Sequence, residues 1–172
     1  RVVDPAGLPV PTGMRGEVVV RGPMVMLGYW RQPEATADAI RNGWMHTGDI
    51  GSVDAEGYLF IVDRLKDVII SGGENVYSQE VENVIGDHPA VKECAVLGLP
   101  DARWGERVHA VIVAREGMTI SGEAIVAHCR AKLAGFKCPK SVSIRTTPMP
   151  VSGANKILKT RLREEFLAGD NA

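Results

Sequence analysis

Short β-branched runs separated by turn residues fill the first third of the chain. Val2 and Val3 lead into Asp4-Pro5-Ala6-Gly7, a turn signal. Residues 17–21 form an apolar run suited to a buried strand. Pro33-Glu34 opens a helical stretch that reaches Ala39-Ile40, with proline at a first-turn position. Residues 50–53 and 58–62 predict two strands, and Asp54-Ala55-Glu56-Gly57 between them predicts a hairpin.

After Arg64 the pattern changes to alternating strands and helices. A strand over 68–70 stops at Gly72-Gly73, and Ser78 reads as the N-cap of a helix through Gly86, with Val81, Val84 and Ile85 on one face. Residues 91–97 and 108–114 predict strands. Ser121 caps a second helix that turns Ile125, Val126, Cys129 and Leu133 to the core and ends at Gly135. A strand over 141–145 and a helix over about 158–167 close the chain. The expected fold class is α+β: a β-rich segment over 1–63, then a small two-layer sheet-and-helix domain over 64–172. There are no internal repeats and no low-complexity tract.

Composition narrows this little. The chain's 172 residues suffice for one ordinary domain or two small ones with a core of their own. Hydrophobic residues make up 45% and charged residues 24%, and the formal net charge is −1. That balance favours neither a nucleic-acid partner nor a polybasic membrane contact. No uncharged stretch approaches the ~20 residues that span a bilayer, so no transmembrane segment is expected. No signal peptide is visible. The chain begins at Arg1, directly ahead of a strand-like Val-Val, and so reads as a fragment whose upstream targeting segment, if any, stays open. Cys94, Cys129 and Cys138 fit neither a disulfide framework nor a zinc site. They read as reduced thiols of a cytoplasmic protein, two of them in the core.

Four segments carry candidate chemistry. Gly43-Trp44-Met45-His46-Thr47-Gly48-Asp49 ends in a turn-like Thr-Gly-Asp, and an acidic residue at a strand end can accept from a ribose diol. Alone it is as readily an ordinary turn aspartate. Asp63-Arg64-Leu65-Lys66-Asp67 places four charges in five residues where the composition changes, which suits an inter-domain linker. Its arginine could also fork onto ribose or phosphate oxygens. Ile70-Ser71-Gly72-Gly73-Glu74-Asn75-Val76 pairs glycines after a strand, for a tight turn or for close approach to a ligand. Residues 148–162 form a Pro/Ser/Gly/Asn loop with Lys156 where it meets the terminal helix. Such a lysine is solvated, or is delivered to a phosphate as a point charge.

Taken in order, these four segments resemble the adenylate-forming superfamily of acyl-CoA ligases, aryl-CoA ligases, luciferases and peptide-synthetase adenylation domains. The resemblance covers essentially the whole chain. It implies that residues 1–63 end the large AMP-binding domain and that 64–172 form the mobile C-terminal domain, with a hinge near 64–67. It implies nucleotide-binding roles for Asp49 and Arg64 on the ribose, Lys66 as the pivot, and Lys156 as the catalytic lysine of the adenylating state. The family usually has Gly before that lysine, and this chain has Asn155, as some aryl-CoA ligases do. Gly72, Gly73 and Glu74 look like the segment lining the pantetheine tunnel. Trp104, Phe136 and Lys140 look like the CoA nucleotide surface, although some relatives carry Arg where Cys138 stands.

The implied substrates are ATP with Mg2+, coenzyme A, and a fatty or aromatic carboxylic acid. The implied partner is the missing N-terminal domain of the same enzyme. No metal ligands are expected in this chain. The family's Ser/Thr/Gly-rich phosphate loop is absent from these residues, so the fragment alone is expected to be inactive. Two other readings stay open: an acyl-AMP ligase or adenylation domain delivering to a carrier protein, and a non-catalytic CoA-binding module.

Overall fold

The structure is a computed structural model that describes residues 1–169. The chain divides into two compact units, the first spanning Arg1–Lys66 and the second starting at Asp67. This division falls three residues beyond the expected 63/64 boundary, because Asp63 and Arg64 complete a strand of the first unit.

The first unit is a five-stranded antiparallel sheet beside one short helix. Its strands are β1 (Val2–Val3), β2 (Gly16–Val20), β3 (Ile40–Arg41), β4 (Trp44–Val53) and β5 (Leu59–Arg64). β4 is the centre: β2 pairs with one edge, and β3 and β5 share the other. Helix α1 (Pro33–Ala39) begins at the predicted proline. Val2, Val3, Val18, Val19 and Ile50 form the buried core. The Asp54 side chain closes the β4–β5 hairpin by accepting from Tyr58 N–H at 2.8 Å. β4 is six residues longer at its start than its β-branched end suggested, so Thr-Gly-Asp lies within the strand and not in a turn beside it. Val18 alone stands on β2 opposite Thr47, Gly48 and Asp49, between the pairs Val19–His46 and Glu17–Ile50. The extra residues bulge, and Gly48 takes φ +72°, a conformation glycine adopts freely.

The second unit is a five-stranded sheet covered on both faces. After a 3₁₀ turn at Leu65–Asp67 come β6 (Ile69–Ser71), β7 (Glu74–Val76) and helix α2 (Ser78–Gly86). β8 (Val91–Asp101), β9 (Gly105–Ala114), helix α3 (Gly122–Arg130), β10 (Ser141–Arg145) and helix α4 (Lys159–Leu167) follow. β9 pairs with β8 along its length, with β10 in parallel, and with β6 at its start. Alternation on β9 explains the layering. Val108, Ala110 and Ile112 face a cluster with Val81 and Ile85 of α2 and Ile125 and Cys129 of α3. Val111 faces Leu97, Leu99, Met149 and Leu162 of α4. The two-layer expectation is therefore corrected to three layers: the odd-numbered face of β9 also presents Val111 and Val113, and α4 covers it. Each fully buried isoleucine here contributes about 1.5–3 kcal/mol relative to exposure. Cys129 and Cys138 lie in the first cluster and Cys94 at its margin, all as free thiols.

Two helix ends differ from the sequence reading. Tyr77, not Ser78, is the N-cap of α2; Ser78 is the first helical residue, and its buried hydroxyl accepts from Lys159 Nζ at 2.7 Å. Helix α3 ends at Arg130, five residues before Gly135. There Lys132 N–H turns to the Cys129 carbonyl at 3.0 Å, tightening the last turn so that the chain can return as β10. Ser121 caps α3 as expected, accepting from Ala124 N–H at 3.2 Å.

Candidate functional site

In the first unit, Asp49 and Arg64 stand directly opposite each other on β4 and β5. Arg64 Nε lies 3.6 Å from Asp49 Oδ1, and the side chains are 56% and 35% exposed, so both stay open to a ligand. A diol could accept from the guanidinium and donate to the carboxylate at once.

The bulge that presents Asp49 is braced from beneath. Thr47 Oγ1 donates to the Val18 carbonyl at 2.8 Å and accepts from Asp49 N–H at 3.1 Å. Glu17 accepts from Gly48 N–H at 3.2 Å, and its other oxygen lies 2.7 Å from His46 Nδ1. Sequence reasoning missed Glu17. Its only local signal was a carboxylate opening an apolar strand; its partners are about thirty residues away. Arg64 is steadied by its own N–H, which donates to the buried Asp63 carboxylate at 2.7 Å. Lys66 is exposed, within the 3₁₀ turn at the end of the first unit.

In the second unit, Gly72 and Gly73 form the two-residue turn of the β6–β7 hairpin, with φ +62° and +84°. A turn with two positive φ angles matches the strands' twist. Gly72 is also required sterically: a Cβ there would lie 2.9 Å from the Trp104 ring. Its N–H donates to the Trp104 carbonyl at 2.8 Å. Trp104 caps the β8–β9 hairpin, 37% exposed, with Arg103 at 4.6 Å and Lys140 Nζ at 5.9 Å from its ring. Lys140 Nζ also donates to the Gly135 carbonyl at 3.1 Å, beside Phe136, which is 41% exposed. Gly72, Trp104, Lys140 and the Phe136 segment thus share one end of the sheet. Glu74 begins β7 and is exposed.

Two neighbours are engaged elsewhere. Lys137 Nζ is paired with Glu80 at 2.6 Å, and Cys138 is 2% exposed within the core. Position 138 therefore offers no surface contact to a phosphate in this chain.

Lys156 lies on a small closed hairpin. Val151 bridges Ile157, Ser152 N–H donates to the Lys156 carbonyl at 2.8 Å, and Leu158 N–H donates to Pro150 at 2.8 Å. The Pro/Ser/Gly/Asn loop is therefore hydrogen-bonded across its neck. Asn155 takes φ +58°, which suits the residue: after glycine, asparagine is among the residues that adopt this left-handed conformation most readily. The Lys156 side chain is exposed, and its ammonium makes no ion pair or hydrogen bond among the described residues.

Residues 80–156 match the AMP-binding enzyme C-terminal domain family. The chain is 53% identical over 166 residues to a feruloyl-CoA synthase of Amycolatopsis sp, covering 96% of this chain and 34% of that protein. It is 52% identical over 153 residues to the long-chain-fatty-acid–CoA ligase FadD13 of Mycobacterium tuberculosis, covering 89% of this chain and 30% of that protein. Among solved structures, ATP-bound MatB from Rhodopseudomonas palustris superposes with a TM-score of 0.90 at 42% identity, over 96% of this chain and 33% of that one. The chain spans about a third of the length of the curated relatives it matches. Residues 80–156 thus belong to the AMP-binding enzyme C-terminal domain family, and the chain is similar over nearly its whole length to acyl-CoA ligases.

Proposed function

We propose that the chain is part of an acid–thiol ligase that joins a fatty or aromatic carboxylic acid to coenzyme A. In the first step the carboxylate oxygen attacks the α-phosphorus of ATP, and the bond to pyrophosphate breaks. In the second the CoA thiol attacks the acyl-adenylate carbonyl, its proton leaves to solvent, and AMP departs. The observation that carries this reading is the exposed Lys156 ammonium on a tight hairpin, unpaired among the described residues, in a chain whose relatives are CoA ligases.

Both steps spread negative charge over oxygen, so the placement of cations is the main lever. Lys156 would sit between the incoming carboxylate and the α-phosphate, while Asp49 and Arg64 hold the ribose. The same ammonium would obstruct thiol entry. In this reading the C-terminal unit therefore swings about Lys66 between steps and brings Gly72, Gly73 and Glu74 to the thiol path. Trp104, Phe136 and Lys140 would then receive the CoA nucleotide. Magnesium enters as the ATP chelate; among the described residues no group of three His, Cys, Asp or Glu side chains could hold a metal. The rest of the ligase would supply the acyl pocket and phosphate loop, and would cover Tyr58, Leu59, Phe60 and Ile61, which lie exposed here. The supply of ATP and CoA suits a cytoplasmic setting, and no helix among the described residues is long and apolar enough to cross a membrane.

Half-reactions test the assignment. In the complete ligase, Lys156→Ala should lower acyl-adenylate formation about 10²–10³-fold. Transfer from supplied acyl-adenylate to CoA should stay near the parent rate. Equal loss in both half-reactions would remove Lys156 from the role.

A further inference from the structure

The β6–β7 hairpin is rooted in the core by Ile69 and Val76, but few backbone bonds hold its tip to the sheet. Backbone pairing between β6 and β9 is confined to Ser71 opposite Gly105, beside the Gly72–Trp104 bond. At Ile70 a side chain takes the place of a strand: the Ile70 N–H donates to Glu106 Oε2 at 3.0 Å. The other oxygen, Oε1, accepts from Arg163 Nη2 of α4 at 2.9 Å. The Glu106 side chain is 24% exposed and that of Arg163 45%. Room for this carboxylate depends on Gly98 of β8. A Cβ there would lie 2.8 to 2.9 Å from the Glu106 carboxyl carbon and both its oxygens.

We propose that Glu106 is a positioning residue for the CoA half-reaction, its carboxylate fixing the Gly72-Gly73 turn against Trp104 while Arg163 fixes the carboxylate. The role rests on the reading that this turn lines the thiol path. Ile69 and Val76 root the hairpin in the core, but β6 has three residues and only Ser71 bridges β9, so without Glu106 the tip beyond those anchors loses its restraint beside the Ser71–Gly105 pair. A backbone N–H bonded to a charged acceptor resists that loosening more strongly than one bonded to a neutral carbonyl. Arg163 carries the restraint to α4, the helix that follows the Lys156 hairpin. The turn that meets the thiol and the lysine that serves adenylation are thereby tied within one unit.

Two measurements test this. In the 172-residue chain, Glu106→Ala should speed amide hydrogen exchange at Ile70 and Gly72 while leaving Val96 and Ile112 unchanged. In the complete ligase it should raise the KM for CoA about tenfold in transfer from supplied acyl-adenylate, with adenylation within about twofold of the parent. Arg163→Ala should shift the CoA KM in the same direction by less. Glu106→Gln, which keeps an acceptor for Ile70, should recover most of the loss, and these two variants carry the test if Glu106→Ala does not fold. Unchanged exchange at Ile70 and Gly72 overturns the proposal, as does faster exchange with an unchanged CoA KM, or an equal fall in both half-reactions. A parent enzyme with no CoA-dependent product overturns the ligase reading itself, whatever the exchange data show.

Discussion

His109 is 4% exposed, its Nδ1 lies 2.7 Å from Ser141 Oγ, and its ring meets Phe166 edge-on at 4.5 Å. Burial, with a smaller contribution from the Arg107 guanidinium, lowers its pKa from 6.5 to about 4. The sign follows directly. Above pH 6.5 the ring is neutral in both folded and unfolded chains. As the pH falls towards 4 the unfolded chain takes up a proton that the folded one refuses, so stability is lost across that window, by about 3 kcal/mol in full. Urea titrations at pH 7 and pH 4.5 should show a smaller loss for His109→Gln than for the parent; parallel losses would assign the acid sensitivity to other groups. Asn155 shows the same dependence on surroundings in the backbone. Its difference from the usual glycine follows from its left-handed φ of +58°.

Among the elements, α4 depends most on polar anchors. Lys159 at its start donates to Ser78 Oγ and lies 2.7 Å from Glu82 Oε1, with the charged side chains 19% and 11% exposed. Glu82 also accepts from Val96 N–H at 2.7 Å, so one carboxylate links α2, β8 and α4. Lys159→Met would leave that carboxylate without its cation and should cost about 3 kcal/mol in chemical denaturation. A loss under about 0.5 kcal/mol would mean that apolar packing of Leu162 alone seats the helix. The same anchors mark what the sequence could and could not disclose. Periodicity was enough for α1, α2, the β4–β5 hairpin and the Ser121 cap, because each depends on residues within one or two turns. It shortened β4 and β9, whose ends carry motif residues in place of β-branched ones, and it extended α3 to a glycine that does not end it. Asp49, Arg64, Gly72 and Lys156 were legible as motif positions. Glu17, Glu82 and Glu106 were not, since each acts on backbone or side chains brought near only by folding.

At the scale of the whole molecule, the chain holds candidate ribose, thiol and lysine groups but spans about a third of its relatives. Purified alone, it is expected to give no acyl-adenylate in an ATP–pyrophosphate exchange assay with fatty and aromatic acids. Measurable exchange would show that these residues suffice for adenylation. Its three thiols have a quieter consequence. Burial pushes the Cys94 thiol up to about 12 and the Cys129 thiol to about 11, and raises Cys138 as well. Alkylating reagents attack thiolates, which are scarce near neutrality at such values. Each adduct formed at the buried Cys129 or Cys138 under native conditions would therefore record a moment when the three-layered unit had come apart, so these two thiols tally excursions from the folded state.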